Sequence, residues 1–148
     1  MTRRILLLVA LLLAIASAPV RAVGTVVTTT REQGSAANHI KRFSVAWTST
    51  AGGAVSANTF EVPAGRLLSV RFIPGSGGTQ PTDLYDVTLV DTDSVDLLAG
   101  VGANLSNATS SIYQWDPPYF QDGSRVLDVV VANAGAAKTG TVVLLVQN

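Results

Sequence analysis

Short runs of alternating apolar and polar residues, each closed within a few positions by Gly, Pro or Asn, set the limits on what this chain can fold into. Phe43, Val45 and Trp47 alternate with Ser44, Ala46 and Thr48. Leu68, Val70 and Phe72 alternate with Ser69 and Arg71, and Tyr85, Val87 and Leu89 with Asp86 and Thr88. A period of two puts successive side chains on opposite faces of an extended strand, so each run predicts a strand with one buried face. Residues 126–131 and 142–146 are almost continuously apolar, the pattern of strands in the middle of a core. Val, Thr and aromatic residues dominate these runs, which favours strand over helix.

The breaks carry equal weight. Turns are predicted at Gly52-Gly53, Pro63-Ala64-Gly65, residues 74–78, Pro117-Pro118, Asp122-Gly123 and Asn133-Ala134-Gly135. Gly supplies positive φ, Pro fixes φ, and Asn or Asp bonds its own backbone. Short strands at this spacing predict an all-β fold: a single β-sandwich, Ig-like or jelly-roll-like, of about seven or eight strands. Residues 94–105 offer at most a helical turn, because Gly100 and Gly102 oppose anything longer. Residues 74–82 read as an exposed loop.

The N-terminus is organised differently. Arg3 and Arg4 precede an unbroken apolar run of twelve residues, 5–16, and Pro19 ends it ahead of Val20-Arg21-Ala22. This is the three-part layout of a secretory signal peptide, and the run is shorter than the roughly 20 apolar residues of a membrane span. The expected organisation is therefore a signal peptide at residues 1–22, an extended arm rich in Thr, Gly and Ala at 23–38, and the sandwich at 39–148. An N-terminal apolar, signal-like helix would precede the sandwich. Cleavage after Ala22 would remove Arg3, Arg4 and Arg21, leaving seven basic residues against ten acidic ones, a net charge of −3.

Composition narrows the function classes. The chain of 148 residues is 14% charged, has a formal net charge of zero and contains no cysteine. Such a length suits one domain, stabilised by packing rather than by disulfides. Zero net charge argues against a generic nucleic-acid binder, which would carry a clustered Lys/Arg excess. With one histidine, His39, and no cysteine, an ordinary zinc site cannot be built. No nucleophile elbow, P-loop or dinucleotide fingerprint is present, so no catalytic residue and no cofactor is assigned. Asp91, Asp93 and Asp96 form the densest carboxylate cluster. Read as a calcium loop, they leave Val95 at a ligand position, Asp96 where glycine belongs and Gly102 where the closing glutamate belongs. The better reading is that these side chains cap a tight turn, and no metal site is assigned.

The aromatic residues cluster. Tyr113 and Trp115 are two apart and share a strand face, with Tyr119 following. Tyr113, Trp115 and Tyr119 are the candidate binding residues, as a platform for sugar rings or an anchor for a protein partner; as plain core filler they would close one end of the sandwich. Asn104-Leu105-Ser106 and Asn107-Ala108-Thr109 match the glycosylation acceptor pattern and read as a polar loop.

The segments Tyr85-Asp86-Val87-Thr88-Leu89-Val90-Asp91, residues 96–104, Val131-Ala132-Asn133-Ala134-Gly135 and Gly140-Thr141-Val142-Val143-Leu144 resemble small virion structural proteins of tailed bacteriophages, β-sandwiches of the capsid decoration or fibre type. The resemblance spans residues 42–146. The chain departs from the family's pattern at Ser94, where Gly is common, and at Leu105, where Arg is common. The resemblance implies a non-enzymatic virion protein that assembles with itself, as a homo-oligomer, and with other virion proteins. The signal-like N-terminus implies instead a secreted or periplasmic module with a carbohydrate or cell-surface ligand. The charge balance leaves nucleic acid out of the expected partners on either reading.

Overall fold

The computed structural model describes residues 25–35, 38–55, 59–121 and 123–148. The apolar run and cleavage site within residues 1–22 lie outside them, as does Asp122. The described residues form eight strands: β1 (Thr25–Ser35), β2 (Asn38–Thr48), β3 (Thr59–Val62), β4 (Gly65–Pro74), β5 (Asp86–Asp91), β6 (Ser111–Gln121), β7 (Arg125–Ala132) and β8 (Thr139–Gln147). The helical content of the described residues is one 3-10 turn at Gly77–Thr79. The chain is all-β.

The strands form two antiparallel sheets, ordered β1-β2-β8-β4-β6 and β3-β7-β5. The two runs that are nearly continuous in apolar residues, β7 and β8, are the inner strands of their sheets. β8 pairs along its length with both β2 and β4, and β7 with both β3 and β5. An inner strand has its backbone satisfied on both edges, which suits β-branched residues throughout. Connections between β2 and β3, β3 and β4, β4 and β5, and β6 and β7 all cross from one sheet to the other.

One core lies between the sheets. Phe43, Val45 and Trp47 of β2, Val70 and Phe72 of β4, and Val142, Leu144 and Val146 of β8 face Phe60, Val87, Leu89, Leu127, Val129 and Val131 of the smaller sheet. Two ring contacts bridge the layers: Phe43 to Phe60 at 5.8 Å between centroids, and Trp47 to Tyr85 at 5.9 Å. Burial of each such side chain is worth about 1.5–3 kcal/mol, which is how a cysteine-free chain of this size holds together.

Two local features depart from the sequence expectations. First, residues 25–35, read as an arm, form β1 and pair with β2 over eleven register positions. Second, Pro117-Pro118 is not a turn but lies inside β6. Opposite β4, the register passes from Ser69↔Gln114 to Leu67↔Tyr119, so residues 115–118 bulge out of the ladder. β6 is an edge strand, where proline removes no needed ladder bond, and this explains why the strand runs through. Residues 96–105, where at most a helical turn is expected, form a run of turns. They run along the otherwise free edge of β5, with Leu97 N–H donating to Leu89 O (2.9 Å), Val87 N–H to Gly102 O (2.8 Å) and Leu105 N–H to Tyr85 O (2.8 Å). A strand edge covered in this way no longer offers unpaired backbone groups to another chain.

Candidate functional site

Tyr113 and Trp115 lie on the inner face of β6, as their spacing requires. Their rings meet edge to face, 5.4 Å apart at 77°, a favourable aromatic arrangement. Trp115 is 9% exposed and belongs to the core, and Tyr113 is partly buried against that core. Tyr119, beyond the bulge, is 36% exposed. Of the three candidate binding residues, Tyr119 is therefore the one open to solvent.

The aspartate cluster follows β5, and its carboxylates face the backbone. Asp91 Oδ1 accepts the N–H groups of Asp93 (3.0 Å) and Val95 (2.9 Å), while Oδ2 accepts from Arg125 Nη1 at 2.8 Å. Asp96 Oδ1 accepts from the N–H groups of Leu89 and Leu98, both at 3.1 Å, and Oδ2 from Gly100 N–H at 3.3 Å. The Val95 N–H, helped by the Asp93 N–H and the Arg125 guanidinium, holds the Asp91 carboxyl below its ordinary range despite burial. Asp91 and Asp96 thus fix the β5 turn and pin the edge-covering segment in place. Among the described residues, no group of three or more His, Asp or Glu is arranged to hold a metal ion.

Residues of β1, β2 and β3 come together at the surface. Thr30, Lys41, Phe43, Glu61, Pro63 and Ser124 line an open cleft of about 300 Å³ there. Phe43 forms the apolar floor, and Lys41 is held by an ion pair of 2.9 Å to Glu32. That pairing, first through the hydrogen bond from Lys41 and then through its charge, lowers the Glu32 pKa. Lys41 and Phe43 lie on the inner face of β2 there, whereas Glu61, between buried Phe60 and Val62, turns its side chain to the outer face of its own sheet. The sequence reading missed this cleft because two of its walls come from β1 and from β3. Only the alternation Thr59-Phe60-Glu61-Val62 signals β3 in the sequence.

His39 opens the main ladder of β2. Its N–H donates to Asn148 O (3.3 Å) and its carbonyl accepts from Asn148 N–H (3.0 Å), which ties the last residue to the sheet. Asn104 N–H donates to Asp86 Oδ1 at 2.9 Å and Asn107 N–H to Asp83 Oδ1 at 3.2 Å, so both acceptor-pattern asparagines sit in a loop anchored by its backbone. No protein-family model, curated protein or solved structure matches the chain.

Proposed function

We propose that this chain is a non-enzymatic structural protein of a virion, a decoration-type or fibre-type subunit of a tailed bacteriophage, built on a jelly-roll sandwich. The observation that carries the reading is the strand order. A jelly roll alternates eight strands between two sheets as two Greek keys, an architecture that recurs in capsid and lectin domains. Counting β2 as the first strand, β2-β8-β4-β6 and β3-β7-β5 reproduce that order with one strand missing beside β5. Residues 96–105 occupy that place, joined to β5 by bridges at Tyr85↔Leu105 and Val90↔Asp96. β1 is then an addition at the sheet edge. A shared fold alone does not assign a function. The reading also draws on the resemblance to phage virion proteins and on the use of the densest carboxylate cluster to cap turns.

Particles purified from the native source test this reading. Recovery of the chain with the particles in a fixed ratio to the major shell protein supports it. Recovery only as free protein outside the cell, with its mass beginning at Val23, overturns it. That outcome favours the second reading, an exported binding module for carbohydrate or a cell-surface partner, which rests on the signal-like residues 1–22 and on the exposed ring of Tyr119. A glycan array would then show binding that is lost on Tyr119→Ala while the fold is kept.

A further inference from the structure

The two outer faces of the molecule carry opposite charge. On the outer face of the five-stranded sheet, Arg31, Arg42, Arg66 and Arg71 are all exposed. They come from β1, β2 and β4, and pairing through β8 brings them together: Arg31↔Arg42, Arg42↔Leu145, Leu145↔Ser69, with Arg66 and Arg71 on either side of Ser69 along β4. None of the four makes an ion pair among the described residues. The acidic residue of β1, Glu32, alternates to the other side and holds Lys41. The outer face of the three-stranded sheet carries Glu61, Asp86 and Asp128, and its strands place no Lys or Arg on that face.

Arg31 and Arg42 are direct register partners, and like charges directly opposite on neighbouring strands are destabilising. Such a pair is favoured when an acidic surface lies over it. The residues between the arginines indicate what kind of surface. Val143 is 6% exposed yet stands outside the inter-sheet core, and Ile112 beside Arg71 is 62% exposed. Arginine without lysine, interleaved with aliphatic residues, is the composition of a protein–protein interface rather than of a polyelectrolyte track. The chain itself offers the complementary surface.

We infer that copies of this protein associate face to back, the arginine face of the five-stranded sheet of one copy docking on the acidic face of the three-stranded sheet of the next. The contact joins two different patches, so it is heterologous and propagates into a ring or a row of subunits. It needs no particle, and its failure would leave the virion reading standing.

Sedimentation of the purified protein tests it through a charge swap. At low ionic strength the protein self-associates. At about 1 M salt, where charges are screened within about 3 Å, it dissociates. Arg42→Glu with Arg71→Glu reverses one face, and Glu61→Lys with Asp128→Lys reverses the other. Each double variant alone associates at least about tenfold more weakly than the parent. A mixture of the two associates again, because each then presents the face the other needs. Circular dichroism shows whether either variant has lost its fold, and recovery in the mixture requires both to be folded. A protein that stays monomeric at low salt overturns the inference, as does self-association indifferent to salt and to both reversals. Binding of heparin by the arginine face without self-association overturns it as well, and assigns that face to a polyanion.

Discussion

Trp47 stands directly across the β2–β8 ladder from Gly140, and its indole fills the space that a side chain at 140 would occupy. The missing Cβ is what lets Trp47 lie on the backbone of the inner strand while its ring also reaches Tyr85 in the other sheet. Gly140→Ala should therefore destabilise the fold by about 1–3 kcal/mol, the usual cost of overfilling a packed core. Urea denaturation measures this as a lower midpoint with an unchanged slope. The loss should shrink in a Trp47→Leu background, because two residues in contact do not act additively. An equal loss in both backgrounds would show that the indole is not what excludes the Cβ.

Tyr85 is 1% exposed, and its hydroxyl has no hydrogen-bond partner among the described residues. Burial pushes its pKa from 10.0 up to about 12. The folded state then holds the phenolic proton after the unfolded state has released it. This contribution to stability is whole below the unfolded value and declines as pH rises from 10.0 towards about 12. Ultraviolet titration should show one of the three tyrosines ionising late. Tyr85→Phe should remove the late step, flatten the alkaline limb and raise stability near neutral pH by about 1 kcal/mol.

The Asp91 carboxyl is held below its ordinary value of 3.8 chiefly by the Val95 N–H. A lowered folded-state value means that the stabilisation is complete above the ordinary value and lost as pH falls through the lower one. Denaturation midpoints followed from about pH 2 to pH 7 should show this acid limb. Asp91→Asn should lower the neutral midpoint and flatten the limb. Arg125→Met should do less, since the main hydrogen bond to Asp91 survives. A larger effect for Arg125→Met would place the ion pair above the turn.

Gly102 packs its backbone against β5, where Val87 N–H donates to its carbonyl at 2.8 Å and a Cβ would overlap the Val87 carbonyl. Gly102→Ala should lift residues 96–105 from the strand. The expected signs are faster hydrogen exchange at Val87, a loss of about 1–3 kcal/mol, and aggregation through the uncovered edge. Unchanged protection at Val87 would count against an edge-covering role.

Much of the local structure was legible because it is written in adjacent residues. Alternation at 43–48 and 85–89 marks strands and their buried faces, and the same period puts Tyr113 and Trp115 on one face. At 68–72 it marks the strand, but the register shifts there and Leu67, not Leu68, joins Val70 and Phe72 in the core. The two nearly all-apolar runs announce inner strands. Turn chemistry placed Pro63-Ala64 between β3 and β4, with Gly65 opening β4, and Asn133-Ala134-Gly135 between β7 and β8. The aspartates were read as turn caps from their spacing alone. Pro117-Pro118 misled because proline's local preference is for a turn, and only a neighbour on one side, with none on the other, makes a bulged edge strand the better place for it.

The sequence by itself determined that the chain extends around residues 43–48, 85–89, 126–131 and 142–146, which face is apolar in the two alternating runs, and that no disulfide holds them. Those properties follow from sterics and hydrophobic periodicity acting over a few residues. Tertiary structure alone decided the partition into sheets of five and three strands, the recruitment of residues 25–35 into the larger one, and the use of residues 96–105 as an edge cover. It also gathered Arg31, Arg42, Arg66 and Arg71 onto one surface, although 40 positions separate the first from the last. Strand order is set by which distant edges and faces satisfy one another best. That is a sum over non-local pairs, and no local pattern in the chain encodes it.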